Sequence, residues 1–161
     1  MHLDDAIQFP GFTGIVVSLT IFLLVAITLR LRTPKGSFDF DPEFEKQLTA
    51  YLDIAKFVLG LASASIVLIV SASTLRANST APGTAPPKLP FVYASPMAIL
   101  VMTIVYGVLF MAFLALDFEA FKADRKSYTR FKYVLNQALA FSSLACFCLG
   151  YGWLAYAAVH P

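Results

Sequence analysis

Four long segments without a single Asp, Glu, Lys or Arg constrain the fold of this chain more than any other feature. They run from Phe12 to Leu29, Phe57 to Leu75, Phe91 to Leu116 and Tyr133 to Val159. Each reaches the ~17 to 25 residues that a helix needs to cross a hydrocarbon layer of about 30 Å. A water-soluble helical bundle would carry charges on the outer side of every helix. The sequence therefore predicts an all-α fold: one transmembrane domain, an integral membrane four-helix bundle with short cytoplasmic helical extensions.

The composition of the chain agrees with this prediction. Hydrophobic residues make up 58% of the sequence and the mean hydropathy is +0.72, whereas soluble domains are roughly half apolar. The first segment follows acidic residues and precedes basic ones, which is the reverse of a cleaved signal sequence. We therefore expect the first segment to be retained as a membrane helix.

The distribution of basic residues predicts the orientation. Ten of the twelve Lys and Arg residues lie in connections 30–56 and 117–132, and only Arg76 and Lys88 lie in connection 76–90. An excess of Lys and Arg marks the cytoplasmic side of a membrane protein. We therefore predict that 30–56 and 117–132 are cytoplasmic and that 76–90 and both termini lie outside, in a bacterial inner (plasma) membrane. Because orientation accounts for the basic residues, nucleic acid is not an expected partner.

The first cytoplasmic connection contains the start of a helix. Asp41 can cap a helix, Pro42 suits the first helical position, and neither Gly nor Pro follows before Gly60. The sequence therefore predicts one helix from Pro42 to Leu75, about 50 Å long at ~1.5 Å per residue. Such a helix would extend several turns beyond the second span into the cytoplasm.

Apolar and basic side chains on the two cytoplasmic connections form a candidate partner surface. Its residues are Phe44, Leu48, Leu52, Phe118, Phe121 and Arg125. Aromatic and basic side chains at a membrane boundary commonly anchor helices among the lipid headgroups. Alternatively, the two cytoplasmic hairpins pack together and bind a cytoplasmic protein. Both interpretations remain open at this point.

Small residues recur at spacings of three and four along the second and fourth spans. They are Gly60, Ser63, Ala64 and Ser71 in one span and Ala138, Ser142, Ala145 and Gly152 in the other. Small residues at such spacing allow membrane helices to approach closely. Hydroxyl groups can also line a pore, although they often bond back to carbonyls of their own helix. The two rows are therefore candidates for a packing seam, for a pore lining and, third, for a substrate site.

Chemistry that requires ionisable groups within a membrane finds little support in the sequence. Such groups are costly in the bilayer and mark function where they occur. The nearest polar amide lies at Asn136, about one turn into the fourth span, and His2 and His160 lie at the chain ends, so no span offers a haem ligand. Cys146 and Cys148 point to different sides of a helix. We expect no catalytic residue, no cofactor and no metal site.

These observations predict a non-enzymatic multi-pass membrane protein. We expect a homo-oligomer or a subunit of a larger membrane complex, acting as a scaffold or sensor that engages a protein partner through its cytoplasmic hairpins. The alternative is a small gated channel or a membrane-permeabilising effector, for example in stress or phage defence. A membrane-embedded enzyme ranks third. The lipid bilayer is the remaining expected partner.

Overall fold

A computed structural model of the protein describes residues 10–34, 44–78, 93–123 and 129–159. This part of the chain contains helices and no strand. The helices are α1, Pro10–Arg32; α2, Phe44–Asn78; α3, Ala94–Ala123; and α4, Arg130–Val159. Each is long and apolar enough to cross a membrane. The predicted all-α four-helix bundle is confirmed, and the chain is a multi-pass integral membrane protein.

Local sequence explains the limits of α1 and α4. Pro10 begins α1, where its missing N–H costs no hydrogen bond. At the other end of α1, the Thr33 backbone N–H and hydroxyl both donate to the Leu29 carbonyl, at 2.8 and 2.6 Å. Pro34 then follows, and a proline cannot continue the helical hydrogen bonds. Thr129 caps α4, because its Oγ1 accepts from the Lys132 backbone N–H at 3.5 Å.

Helix α2 is continuous, as its sequence predicts. It runs without a break over 35 residues, Phe44–Asn78, which is about 50 Å at ~1.5 Å per residue. The described side chains of this helix, Leu48–Ser71, include a segment apolar enough to cross a membrane. The proposed cap at Asp41 and the first position at Pro42 lie outside the described residues.

The bundle is built around α3 and α4. These two helices make the most extensive contact, α1 packs against both of them, and α2 packs chiefly against α3. Among the described residues, α1 and α2 have little contact with each other. Most of the large, fully buried side chains accordingly lie on α3 and α4, and they include Ile99, Leu100, Thr103, Ser142 and Cys146.

Three glycines bring the helices close together. A Cβ atom at Gly14 would collide with the Ser95 carbonyl of α3 and lie 2.9 Å from the Ala98 Cβ. A Cβ at Gly107 would lie 2.9 Å from Leu59 of α2, and one at Gly150 would lie 2.9 Å from Leu100. Real Cβ atoms essentially never show such distances. Gly14 therefore lets the backbone of α1 approach that of α3, and Gly107 and Gly150 leave room for the Leu59 and Leu100 side chains.

Large apolar side chains cover the outside of α1 and α2. On α1 they include Leu23, Leu24 and Ile27, and on α2 they include Phe57 and Leu68. In water such a surface would be unfavourable, but in a bilayer the lipid tails are as apolar as these side chains. The outward surface of the bundle therefore fits contact with lipid or with another membrane helix.

Candidate functional site

A buried carboxylate lies between α3 and α4 at one end of the bundle. The Asn136 Nδ2 group donates to Asp117 Oδ2 at 2.8 Å, and the Lys132 ammonium lies 3.1 Å from Asp117 Oδ1. Asp117 and Asn136 are both buried, while the Lys132 side chain is 36% exposed. We call these three residues the Asp117 cluster. Lys132 compensates the charge of the carboxylate, which is the usual condition for a charge at a membrane boundary.

The position of the cluster follows from helical spacing. Thr103, Phe110, Leu114 and Asp117 recur at spacings of seven, four and three, and all four are buried against the rest of the bundle. Asp117 thus continues the inner side of α3 by one further turn. Lys132 and Asn136 are four residues apart and so share one side of α4. The ion pair with Lys132 and the hydrogen bond from the Asn136 side-chain amide therefore connect one turn of α3 to the first two turns of α4.

A second polar contact ties α4 to α1 at the same end. The Arg130 guanidinium donates through Nη2 to the backbone carbonyl of Arg30. That carbonyl belongs to the last turn of α1, where carbonyl groups lack partners within the helix and the helix dipole favours a cation. Arg130 therefore caps α1 while it begins α4. The first turn of α4 holds α1 and α3 together.

Three hydroxyl groups in the interior make contacts between helices or within one helix. The Tyr106 hydroxyl of α3 donates to the Ser18 carbonyl of α1 at 3.2 Å, and the Ser143 hydroxyl of α4 donates to the Thr103 carbonyl at 3.0 Å. Ser18 itself donates to the Gly14 carbonyl at 2.8 Å. Tyr106 also stacks on Phe22 of α1, with ring centroids 5.5 Å apart. These contacts give α1 a defined position against α3.

We expect Tyr106→Phe to lower the free energy of unfolding by about 0.5 to 1.5 kcal/mol, because it removes the donor to Ser18 and keeps the stacked ring. Unfolding in mixed micelles measures this loss. The matched control is Tyr51→Phe, since Tyr51 is half-exposed on α2. If both variants lost the same free energy of unfolding, the hydrogen bond from Tyr106 to Ser18 would make no specific contribution to stability.

Part of the candidate partner surface is buried in the bundle. Leu48 is only 9% exposed and belongs to the core, and Leu52 and Phe118 pack against that core. Phe121 is half-buried, while the Phe44 side chain and Arg125 lie outside the described part. The exposed apolar side chains in this part of α2 are instead Tyr51, Ile54 and Phe57. Partner binding stays a prediction, and burial removes Leu48 from its accessible residues.

The two rows of small residues face different surroundings. On α4, Ala138 and Ser142 are fully buried and Ala145 is half-buried, so that part of the row packs inside the chain. On α2, the row points outward, and its exposed members are Gly60, Ser63, Ala64 and Ser71. A Cβ at Gly60 or at Gly152 would meet no described atom within 4 Å. For these outward residues, a seam or a pore requires a second chain and stays a prediction.

The sequence alone did not reveal the Asp117 cluster. Asp117 immediately follows the third charge-free segment, so the sequence predicts that it lies in the cytoplasmic connection 117–132. The available signal was its continuation of the buried stripe of α3, together with the four-residue spacing of Lys132 and Asn136. An acidic residue on an apolar stripe requires a partner, because an unpaired charge there is costly.

The chain matches no protein-family model, and neither a curated protein nor a solved structure is significantly similar to it. Within the described ranges, no three His, Cys, Asp or Glu side chains come together in a way that could hold a metal ion. Cys146 is buried and Cys148 is exposed, and both are free thiols.

Proposed function

We propose that this chain is a non-enzymatic subunit of a membrane assembly, in which α2 carries the contact with a second copy or with another membrane protein. The observation that supports the proposal is the outward row of small residues on α2. Gly60, Ser63 and Ala64 lie on the exposed side of a helix whose opposite side packs against α3. Small residues on that side would let a partner helix approach the α2 backbone closely.

The inner side of α2 has its own close contacts, which leave the outward row for another chain. Ala62 and Val58 are buried, and Leu59 lies against Gly107 of α3. The Tyr151 hydroxyl of α4 also donates to the Leu61 carbonyl at 3.1 Å and contacts the Ser65 hydroxyl. α2 is thus held in place from within, and its outer side can meet a partner without unfolding the bundle.

We also propose that the cytoplasmic end of the bundle acts as a scaffold or sensor that engages a partner protein. The basic ends of α1, α3 and α4 come together there through the contacts of Arg130 and Lys132. Because Lys and Arg are in excess in the connections at this end, we assign it to the cytoplasmic side of a bacterial inner membrane, with both termini outside. A cytoplasmic protein would reach Tyr51 and Ile54 on the exposed side of α2.

Substitution of Ala64 by Ile tests the assembly. We expect Ala64→Ile to reduce the mass of the assembly in mild detergent, because a larger side chain separates helices that pack through small residues. The monomer should keep its helical content, since Ala64 has an exposed position on α2. Size-exclusion chromatography with light scattering measures the mass, and circular dichroism measures the helix.

The matched control is Ala112→Ile, which makes the same change at an exposed position of α3. We expect this variant to keep the parental mass. A chain that is monomeric before substitution, or an equal loss of mass in both variants, would contradict an α2 interface. Reproducible unitary currents from purified protein in planar bilayers would instead support the alternative function, a small gated channel.

A further inference from the structure

The Asn136 side chain has one end engaged and one end without a partner. Its Nδ2 group donates to Asp117 at 2.8 Å, while Oδ1 accepts no hydrogen bond from the described part of the chain. Asn136 is only 2% exposed, so bulk solvent does not reach this oxygen directly. A buried acceptor without a donor loses its hydration and gains nothing in return, and such groups are rare in folded proteins.

Rotation of the amide does not satisfy this oxygen. Exchanging the two ends would turn Oδ1 toward the Asp117 carboxylate, so that two acceptors would face each other, and it would remove the bond from Nδ2. The buried Ser142 hydroxyl also has no partner, but its case differs. A serine hydroxyl can rotate toward the carbonyl four residues earlier, as Ser18 and Ser65 do in this chain. Asn136 therefore needs a donor from outside the described part of the chain.

Lys132 determines which donor fits. Its ammonium group carries three N–H donors, one of which is directed to Asp117, and it lies on the same side of α4 as Asn136. A ligand between them must accept from the ammonium and donate to Asn136 Oδ1. Water does both, and a metal cation would be repelled by the ammonium. The 36% exposure of the Lys132 side chain connects this position to the solvent at the charged end of the bundle.

We propose that the Asp117 cluster binds a water molecule, which accepts from the Lys132 ammonium and donates to Asn136 Oδ1. Buried waters of this kind make about three hydrogen bonds and belong to the structure. The bound water brings solvent from the charged end to the second turn of α4. This inference does not depend on the assembly proposed for α2, because the cluster lies between α3 and α4 of a single chain.

Nuclear magnetic resonance of the side-chain amides tests the proposal. The chain contains two asparagines, Asn78 and Asn136, so selective ¹⁵N labelling of asparagine gives two side-chain signals, and Asn78→Gln assigns them. In nanodiscs we expect a rotating-frame cross peak between the Asn136 amide protons and water, with the sign of dipolar contact and not of exchange. The absence of this cross peak from the unsubstituted chain would overturn the proposal.

Thiol labelling provides the matched comparison in a Cys146→Ser, Cys148→Ser background. We expect a small cationic methanethiosulfonate to label Asn136→Cys and to leave Ala138→Cys unlabelled, because Ala138 is fully buried on the same helix. Equal labelling of the two positions would indicate general opening of the bundle and would also overturn a specific water site. The reagent is larger than water, so the cross peak decides if neither position is labelled.

Discussion

Gly14→Ala should destabilise the folded bundle by about 1 to 3 kcal/mol, although it adds a single methyl group. The added Cβ would collide with the Ser95 carbonyl and lie 2.9 Å from the Ala98 Cβ. A backbone carbonyl in the first turn of α3 cannot move aside as a flexible side chain would. Helix α1 must therefore shift away from α3, which also weakens the contact between Tyr106 and Ser18. Unfolding by steric trapping or in mixed micelles measures the loss.

Gly152→Ala is the matched control for this prediction. It makes the same change in a membrane helix, but a Cβ at Gly152 would meet no described atom within 4 Å. Alanine is favoured over glycine in helices by roughly 0.8 to 1.0 kcal/mol. We therefore expect this variant to be neutral or slightly more stable. If Gly14→Ala and Gly152→Ala shifted stability in the same direction, the close approach of α1 to α3 would be contradicted.

Asp117→Leu should lower the free energy of unfolding by about 2 to 3 kcal/mol. The substitution removes the acceptor of the Asn136 amide and the counter-charge of Lys132. Most of the loss comes from Asn136, because the partly exposed Lys132 can turn toward solvent and its ion pair is screened there. Glu119→Gln is the control, since Glu119 is exposed two residues further along α3. A surface change of that kind should stay within about 0.5 kcal/mol.

A double-mutant cycle separates the contribution of the hydrogen bond between Asn136 and Asp117 from the general effects of each substitution on stability. Asn136→Leu alone leaves Asp117 without its amide donor, whereas Asp117→Leu with Asn136→Leu removes both partners. Replacing both ends of a buried hydrogen bond by apolar groups is often nearly neutral. We therefore expect the double variant to be more stable than the sum of the single losses predicts. Strict additivity of the two losses would contradict the bond between α3 and α4.

Much of the fold could be predicted because lipid restricts what a chain can do. A backbone in the hydrocarbon layer must satisfy its hydrogen bonds within the segment, so a long charge-free segment becomes a helix. This reasoning predicts all four helices. The continuation of α2 into connection 30–56 is predicted separately, from the helix-start signals at Asp41 and Pro42 and from the lack of Gly or Pro before Gly60. The C-terminal end of α1 is harder to predict from the sequence, because Thr33 ends that helix through hydrogen bonds to the Leu29 carbonyl.

The candidate sites were less predictable, because spacing along a helix does not state which side faces the bundle. The sequence predicts a packing seam or a pore lining at Gly60 and Gly152, which stays a prediction about a second chain. Within the described residues, Gly14, Gly107 and Gly150 make close approaches that the sequence analysis does not predict. The stripe that contains Leu48 and Leu52 was correctly identified as apolar, but it packs inward against the core. In a membrane helix, lipid-facing and protein-facing sides are both apolar, and the period of hydrophobicity loses its power to distinguish them.

The sequence by itself determined that this protein crosses a membrane with four helices, because length and the absence of charge are properties of each segment taken separately. The tertiary structure alone decided which residues meet. Asp117 and Asn136 lie 19 positions apart and become partners only because α3 and α4 pack along their length. The same packing turns Gly14 toward Ser95 and leaves Gly60 on the outside. Contacts between helices depend on rotation about each helix axis, which packing of the whole bundle sets and no single segment encodes.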